Sequence, residues 1–159
     1  MKLSTRSKYG LRALFDMAAQ PPNQPVRLKD LARRNNIPLK FLEQIFLILR
    51  HAGIVRSQVG ARGGYTLGRP ASHITLGQVI RTLDGTIAPV NCISKIAYEP
   101  CTCPDEQACA LRAVMSQVRD AIVAVVDHTT LADGVALVHK PPQRSAARRS
   151  KKQAKQDEM

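Results

Sequence analysis

Residues 37–70 read IPLKFLEQIFLILRHAGIVRSQVGARGGYTLGRP, and the organisation of the chain follows from them. Pro38 opens a helix where the missing N–H costs nothing. From about Leu39 to His51, residues Leu42, Ile45, Phe46 and Leu49 recur at helical spacing, and Ala52-Gly53 stops the run. Two short strands follow, IVRSQ (54–58) and YTLGR (65–69), around the tip VGARGG. Gly60, Gly63 and Gly64 are expected to supply the permissive backbone angles of a hairpin.

Upstream, residues 5–19 predict a helix with Leu11, Leu14, Phe15 and Ala18 on one stripe, ended by QPPNQP at 20–25. A second helix covers residues 28–36, and a break at Ile37 and Pro38 separates it from the third. Two short helices, a tight turn and a two-stranded hairpin make the winged helix-turn-helix plan. Arg62 sits at the hairpin tip, where one guanidinium on a narrow loop can enter a minor groove; a solvated turn arginine is the plain alternative.

Charge placement supports a polyanion partner. The net charge is +12; residues 1–70 carry 13 Lys/Arg against 3 Asp/Glu, whereas residues 71–139 carry 4 against 7. An excess of that size in one small domain points to nucleic acid, with a solubilising surface as the rival.

Beyond the hairpin, ITLGQVIRTLDG (74–85) predicts a fourth helix with Leu76, Val79, Ile80 and Leu83 inward. From Ala108 to about Asp127 a long helix carries Leu111, Val114, Met115, Val118, Ile122 and Val125 at steps of three and four. That stripe is too long for one small domain to cover, so pairing with a second copy is expected. In TTLADGVALV (129–138), Thr130 and Asp133 resemble a capping box. The segment after Pro142 is almost devoid of apolar residues and is expected to be a disordered basic tail. The division is therefore 1–85 for DNA binding, 86–108 for a cysteine-rich loop, 109–139 for a dimerisation helix and docking segment, and 140–159 for the tail. The fold class is mainly α.

All four cysteines fall between these helices, at Cys92, Cys101, Cys103 and Cys109. The longest unbroken apolar run is AIVAVV, 121–126, too short to span a bilayer, and the N-terminus lacks a signal-peptide pattern. A cytoplasmic protein is expected, where thiols stay reduced and a cysteine cluster means metal or redox chemistry. Four thiolates can hold an iron–sulfur cluster or zinc. The absence of Cys-x-x-Cys units speaks against zinc, and a disulfide switch without metal stays open. No catalytic constellation is visible: His51, His73, His128 and His139 are scattered, so no enzyme is expected.

Taken together, MKLSTRSKYGLRALFDMA, LEQIF, GARGGYTLGRP and the late cysteines resemble the Rrf-two family of bacterial winged-helix transcription regulators, over about residues 1–135. The resemblance implies a homodimer on double-stranded, palindromic promoter DNA, with helix 38–51 in the major groove and the hairpin in the minor groove. It assigns DNA reading to Lys40, Glu43 and Gln44 and makes Arg62 the wing arginine. It also implies a 2Fe–2S cluster on Cys92, Cys103 and Cys109. Cys101 is the candidate fourth ligand, because Lys8 and Arg112 stand where other members place an acidic residue or histidine.

Overall fold

The computed structural model of the protein describes residues 2–60 and 63–139. Three helices, α1 (Thr5–Ala18), α2 (Leu28–Asn35) and α3 (Leu39–His51), pack around Leu14, Leu31, Leu42, Ile45, Phe46 and Leu49. Ser4 caps α1 by accepting the Ser7 N–H at 3.0 Å. Asn36 closes α2 in the left-handed region, φ 51°, a conformation asparagine tolerates better than most residues. The chain thereby turns sharply and buries Ile37 before Pro38 starts α3.

The wing is an antiparallel pair, β1 (Val55–Gln58) and β2 (Gly64–Leu67), with Val55 opposite Leu67 and Gln58 opposite Gly64. Its far edge is also paired: Val26 exchanges backbone hydrogen bonds with Tyr65 at 2.9 and 2.8 Å. This link between the α1–α2 loop and the wing has no sequence signal, because Val26 stands alone between a proline and a helix. The glycines divide their work differently from expectation. Gly60 takes a positive φ of 125°, but Gly63 and Gly64 do not. A Cβ on Gly64 would lie 2.7 Å from the Val26 carbonyl oxygen, so that glycine is there for close approach.

α4 (Leu76–Asp84) begins two residues later than the apolar pattern implied, because Thr75 and Gln78 form a capping box. A loop then runs to α5 (Ala110–His128), with a 3₁₀ turn at Asn91–Ile93. α5 starts at Ala110, not Ala108, because extended Cys109 is its N-cap and accepts the Arg112 N–H at 3.4 Å. α6 (Leu131–His139) opens on the box anticipated from sequence: Asp133 N–H donates to Thr130 Oγ1 at 3.1 Å, and Thr130 N–H to Asp133 Oδ2 at 2.9 Å.

The long helix is held to the helix-turn-helix half at its C-terminal end. Arg81 on α4 meets both carboxylate oxygens of Asp127 at 2.6 and 2.9 Å. Nearby, Leu76 N–H donates to Thr129 C=O and Leu131 N–H to Ile74 C=O, both at 2.9 Å. The apolar surface of α5 divides in two. Ile122, Val123 and Val126 pack on the core, whereas Leu111, Val114, Val118 and Val125 are exposed. Ile122 thus leaves the stripe read from sequence, and Val123 and Val126 supply an inward face that reading did not separate.

Candidate nucleic-acid interface and cysteine loop

α3 buries Leu42, Ile45, Phe46 and Leu49 and turns Lys40, Glu43, Gln44, Leu47 and His51 outward. With 3.6 residues per turn, these five lie on one side of the helix. Lys40, Glu43 and Gln44 are therefore brought to one exposed face. Arg62 lies outside the described residues. So does the basic tail 140–159.

The helix-turn-helix is braced by polar contacts around Asp16. Its carboxylate receives Arg34 at 2.8 and 3.0 Å and Asn35 Nδ2 at 2.7 Å, while Arg12 donates to the Asn35 carbonyl. These contacts fix the end of α2 against α1, and with it the angle at which α3 leaves the turn. Lys29, Arg33, Arg50, Arg56 and Arg69 are exposed as well.

The cysteine loop is ordered by its own side chains. Ser94 Oγ accepts the Ala97 N–H at 2.9 Å and shares a 2.7 Å hydrogen bond with Thr86. Glu106 accepts the Cys101 N–H at 3.0 Å and the Tyr98 hydroxyl at 2.9 and 3.0 Å. Those two donors, the backbone one first, hold its carboxyl below the usual range. Asp105 caps the next turn through the Gln107 and Ala108 N–H groups at 2.8 and 3.1 Å.

Cys101, Cys103 and Cys109 touch in pairs without forming one compact ligand set. Cys103 Sγ lies 4.0 Å from Cys109 Sγ, and Cys103 N–H donates to Cys101 Sγ at 3.3 Å. Hydrogen bonding to Cys101 and then Cys109 pushes the Cys103 thiol up to about 12. Cys92 is buried in the 3₁₀ turn; desolvation, then the charges of Cys101 and Glu106, raise its pKa. All four are free thiols. Among the described residues no group of three or more His, Cys, Asp or Glu side chains is placed to hold a metal ion.

Two thiolates on one metal make a narrower demand. Two sulfurs on one tetrahedral metal, with bonds of about 2.3 Å, sit roughly 3.8 Å apart. The Cys103–Cys109 separation of 4.0 Å fits such a pair. The loop is also clipped to α5: Arg112 Nε donates to the Cys92 carbonyl at 3.4 Å, and Arg119 donates to the Ile93 carbonyl. Sequence reading missed Glu106 and Arg119 and the contact Arg112 makes, since a charged residue on a loop or helix carries no mark of which backbone group it will meet.

A family profile described as Rrf2, iron-dependent transcriptional regulator, matches residues 3–137. The chain belongs to the Rrf2 family. It is 41% identical to Protein rrf2 of Nitratidesulfovibrio vulgaris over 133 residues, 84% of this chain and 86% of that protein. Among solved structures, CymR of Bacillus subtilis, described as its global cysteine regulator, superposes with a TM-score of 0.73 at 38% identity, covering 86% of this chain and 98% of that one. An IscR from T. potens gives 0.69 at 33% identity, covering 87% and 88%. The chain is thus an Rrf2 transcription regulator with a winged helix-turn-helix. Among the described residues no helix is long and apolar enough to cross a membrane.

Proposed function

We propose that this Rrf2 regulator is a homodimer that binds a palindromic promoter, and that a 2Fe–2S cluster on Cys92, Cys101, Cys103 and Cys109 sets its DNA affinity. The observation that carries the reading is the position of the cysteines. One member of the 4.0 Å pair, Cys109, is also the N-cap of the helix whose exposed residues would join two subunits.

The exposed stripe Leu111, Val114, Val118 and Val125 is the dimerisation face. Each subunit then presents α3 to a major groove, with Lys40, Glu43 and Gln44 at base edges. Gln44 can both donate to and accept from adenine, and Glu43 can accept from cytosine. Arg62 is assigned to the minor groove. Bound in the loop, the cluster would supply a reversible electron couple and a centre sensitive to iron supply, oxidants and nitric oxide. Cys92 and Cys101 would supply the remaining thiolates. The chain's own couplings carry a change of sulfur spacing outward. Cys109 moves the first turn of α5, Arg112 and Arg119 tie that helix to the Cys92 turn, and Arg81–Asp127 ties its other end to α4.

A second reading rests on the same 4.0 Å contact. Closing Cys103 and Cys109 to a disulfide of about 2.05 Å would release two protons and two electrons to an oxidant such as a peroxide. Anaerobic purification decides between the two. Cluster binding requires visible absorption with equal iron and acid-labile sulfide, lost when Cys103 and Cys109 are replaced. Colourless protein after reconstitution, with DNA affinity following thiol oxidation, would establish the second reading.

A further inference from the structure

α3 carries a side chain that neither the core nor the polar reading face explains. Leu47 is 46% exposed, on the side opposite Ile45, Phe46 and Leu49. Its neighbours on the outer surface are Glu43, Gln44 and His51, about one turn away, and Lys40, about two turns away, all exposed and polar. A helix former was not required to be apolar there: lysine, glutamine or glutamate serve an exposed position equally well and carry no solvation cost. The Leu47 side chain lies within this outer face, an accessible branched aliphatic group among polar ones.

Given the proposed seating of α3 in a major groove, we infer that Leu47 reads thymine through its 5-methyl group. Thymine is the one base that offers an apolar group on the major-groove edge, and an aliphatic side chain among polar neighbours is its matching surface. The surrounding cations favour a polyanion over an apolar protein partner. The net charge of +10 in residues 1–70 and exposed Lys40 and Arg50 on the same helix make nucleic acid the occupant the charge selects. Leu47 is then a specificity residue. Lys40, Glu43 and Gln44 supply hydrogen bonds around it, and Leu47 excludes cytosine, which has no methyl at that position.

The test uses the full-length protein. Wild type, Leu47→Ala and Leu47→Met are each used to select duplexes from a random pool. Wild type and Leu47→Met should enrich thymine at one symmetry-related pair of positions, and Leu47→Ala should lose that preference alone. On the selected duplex, replacing that thymine by deoxyuridine removes only the methyl. It should weaken wild type about fourfold per half-site, the worth of one buried methyl group, and leave Leu47→Ala unaffected. Identical base preferences in all three proteins, or an equal deoxyuridine penalty in wild type and Leu47→Ala, overturns the inference. Loss of all binding by both variants, with unchanged thermal midpoints, would place Leu47 in a protein contact and also overturn it. If wild type selects no sequence, the groove reading itself falls.

Discussion

Replacing Gly77 with alanine should destabilise the wild-type protein yet stabilise a variant lacking Asp127. A Cβ at Gly77 would lie 1.8 Å from Asp127 Oδ1 and 2.8 Å from Arg81 Nη1, so alanine must break the ion pair that ties α4 to α5. The worth of that pair can be estimated. Charge centres about 4 Å apart at an effective dielectric of 20 attract by roughly 4 kcal/mol. The two side chains retain 30% and 33% of their exposure, so solvent screening and side-chain ordering remove most of this, leaving a coupling of about 1–1.5 kcal/mol. Arg81→Ala and Asp127→Ala should show that coupling in a double-mutant cycle by urea unfolding at fixed protomer concentration. Once Asp127 is gone the alanine meets no carboxylate, and its better helix propensity should contribute about 0.5 kcal/mol. The pH dependence follows from the same contact. Hydrogen bonding to Arg81, then its charge, depresses the Asp127 pKa. The contribution is complete above the unfolded aspartate value of about 3.9 and is lost as pH falls through the lower folded value. Gly77→Ala destabilising both backgrounds equally, or no coupling at pH 7, would refute the reasoning.

Gly64→Ala should cost roughly 2 kcal/mol, because its Cβ would meet the Val26 carbonyl at 2.7 Å and break the Val26–Tyr65 bridge; faster amide exchange at Tyr65 with α1 unchanged is the expected signature. Arg119→Ala should speed exchange in residues 92–97 about tenfold, as it removes a charge-assisted hydrogen bond to the Ile93 carbonyl. Thr130→Ala should lower stability by about 1 kcal/mol through loss of the α6 cap, with Thr130→Ser retaining most of it, read from thermal unfolding.

Much of the fold is legible because its determinants are local. The period of Leu42, Ile45, Phe46 and Leu49 places α3 to the residue, and Thr130 with Asp133 announces α6. What escapes is long-range. Val26 joins the wing, Gly77 makes room for Arg81–Asp127, and Arg119 reaches the Ile93 carbonyl, each through a partner that no nearby pattern specifies. The two faces of α5 differ by only about a quarter turn, so one hydrophobic period covers both Val118 and Val126 until tertiary packing separates them. For the candidate site, the family motif brought forward the cysteines and the outer residues of α3. Glu106, which holds Cys101 and Tyr98, emerges only when the loop is folded.

Operator affinity measured side by side for anaerobically reconstituted protein, its metal-free form and a Cys92→Ala/Cys103→Ala/Cys109→Ala variant tests the central proposal most directly. The account predicts that the reconstituted protein holds iron and acid-labile sulfide and differs at least tenfold in affinity from the metal-free form, with the variant fixed at the metal-free value. Equal affinity in all three, with the iron and sulfide present, would contradict it.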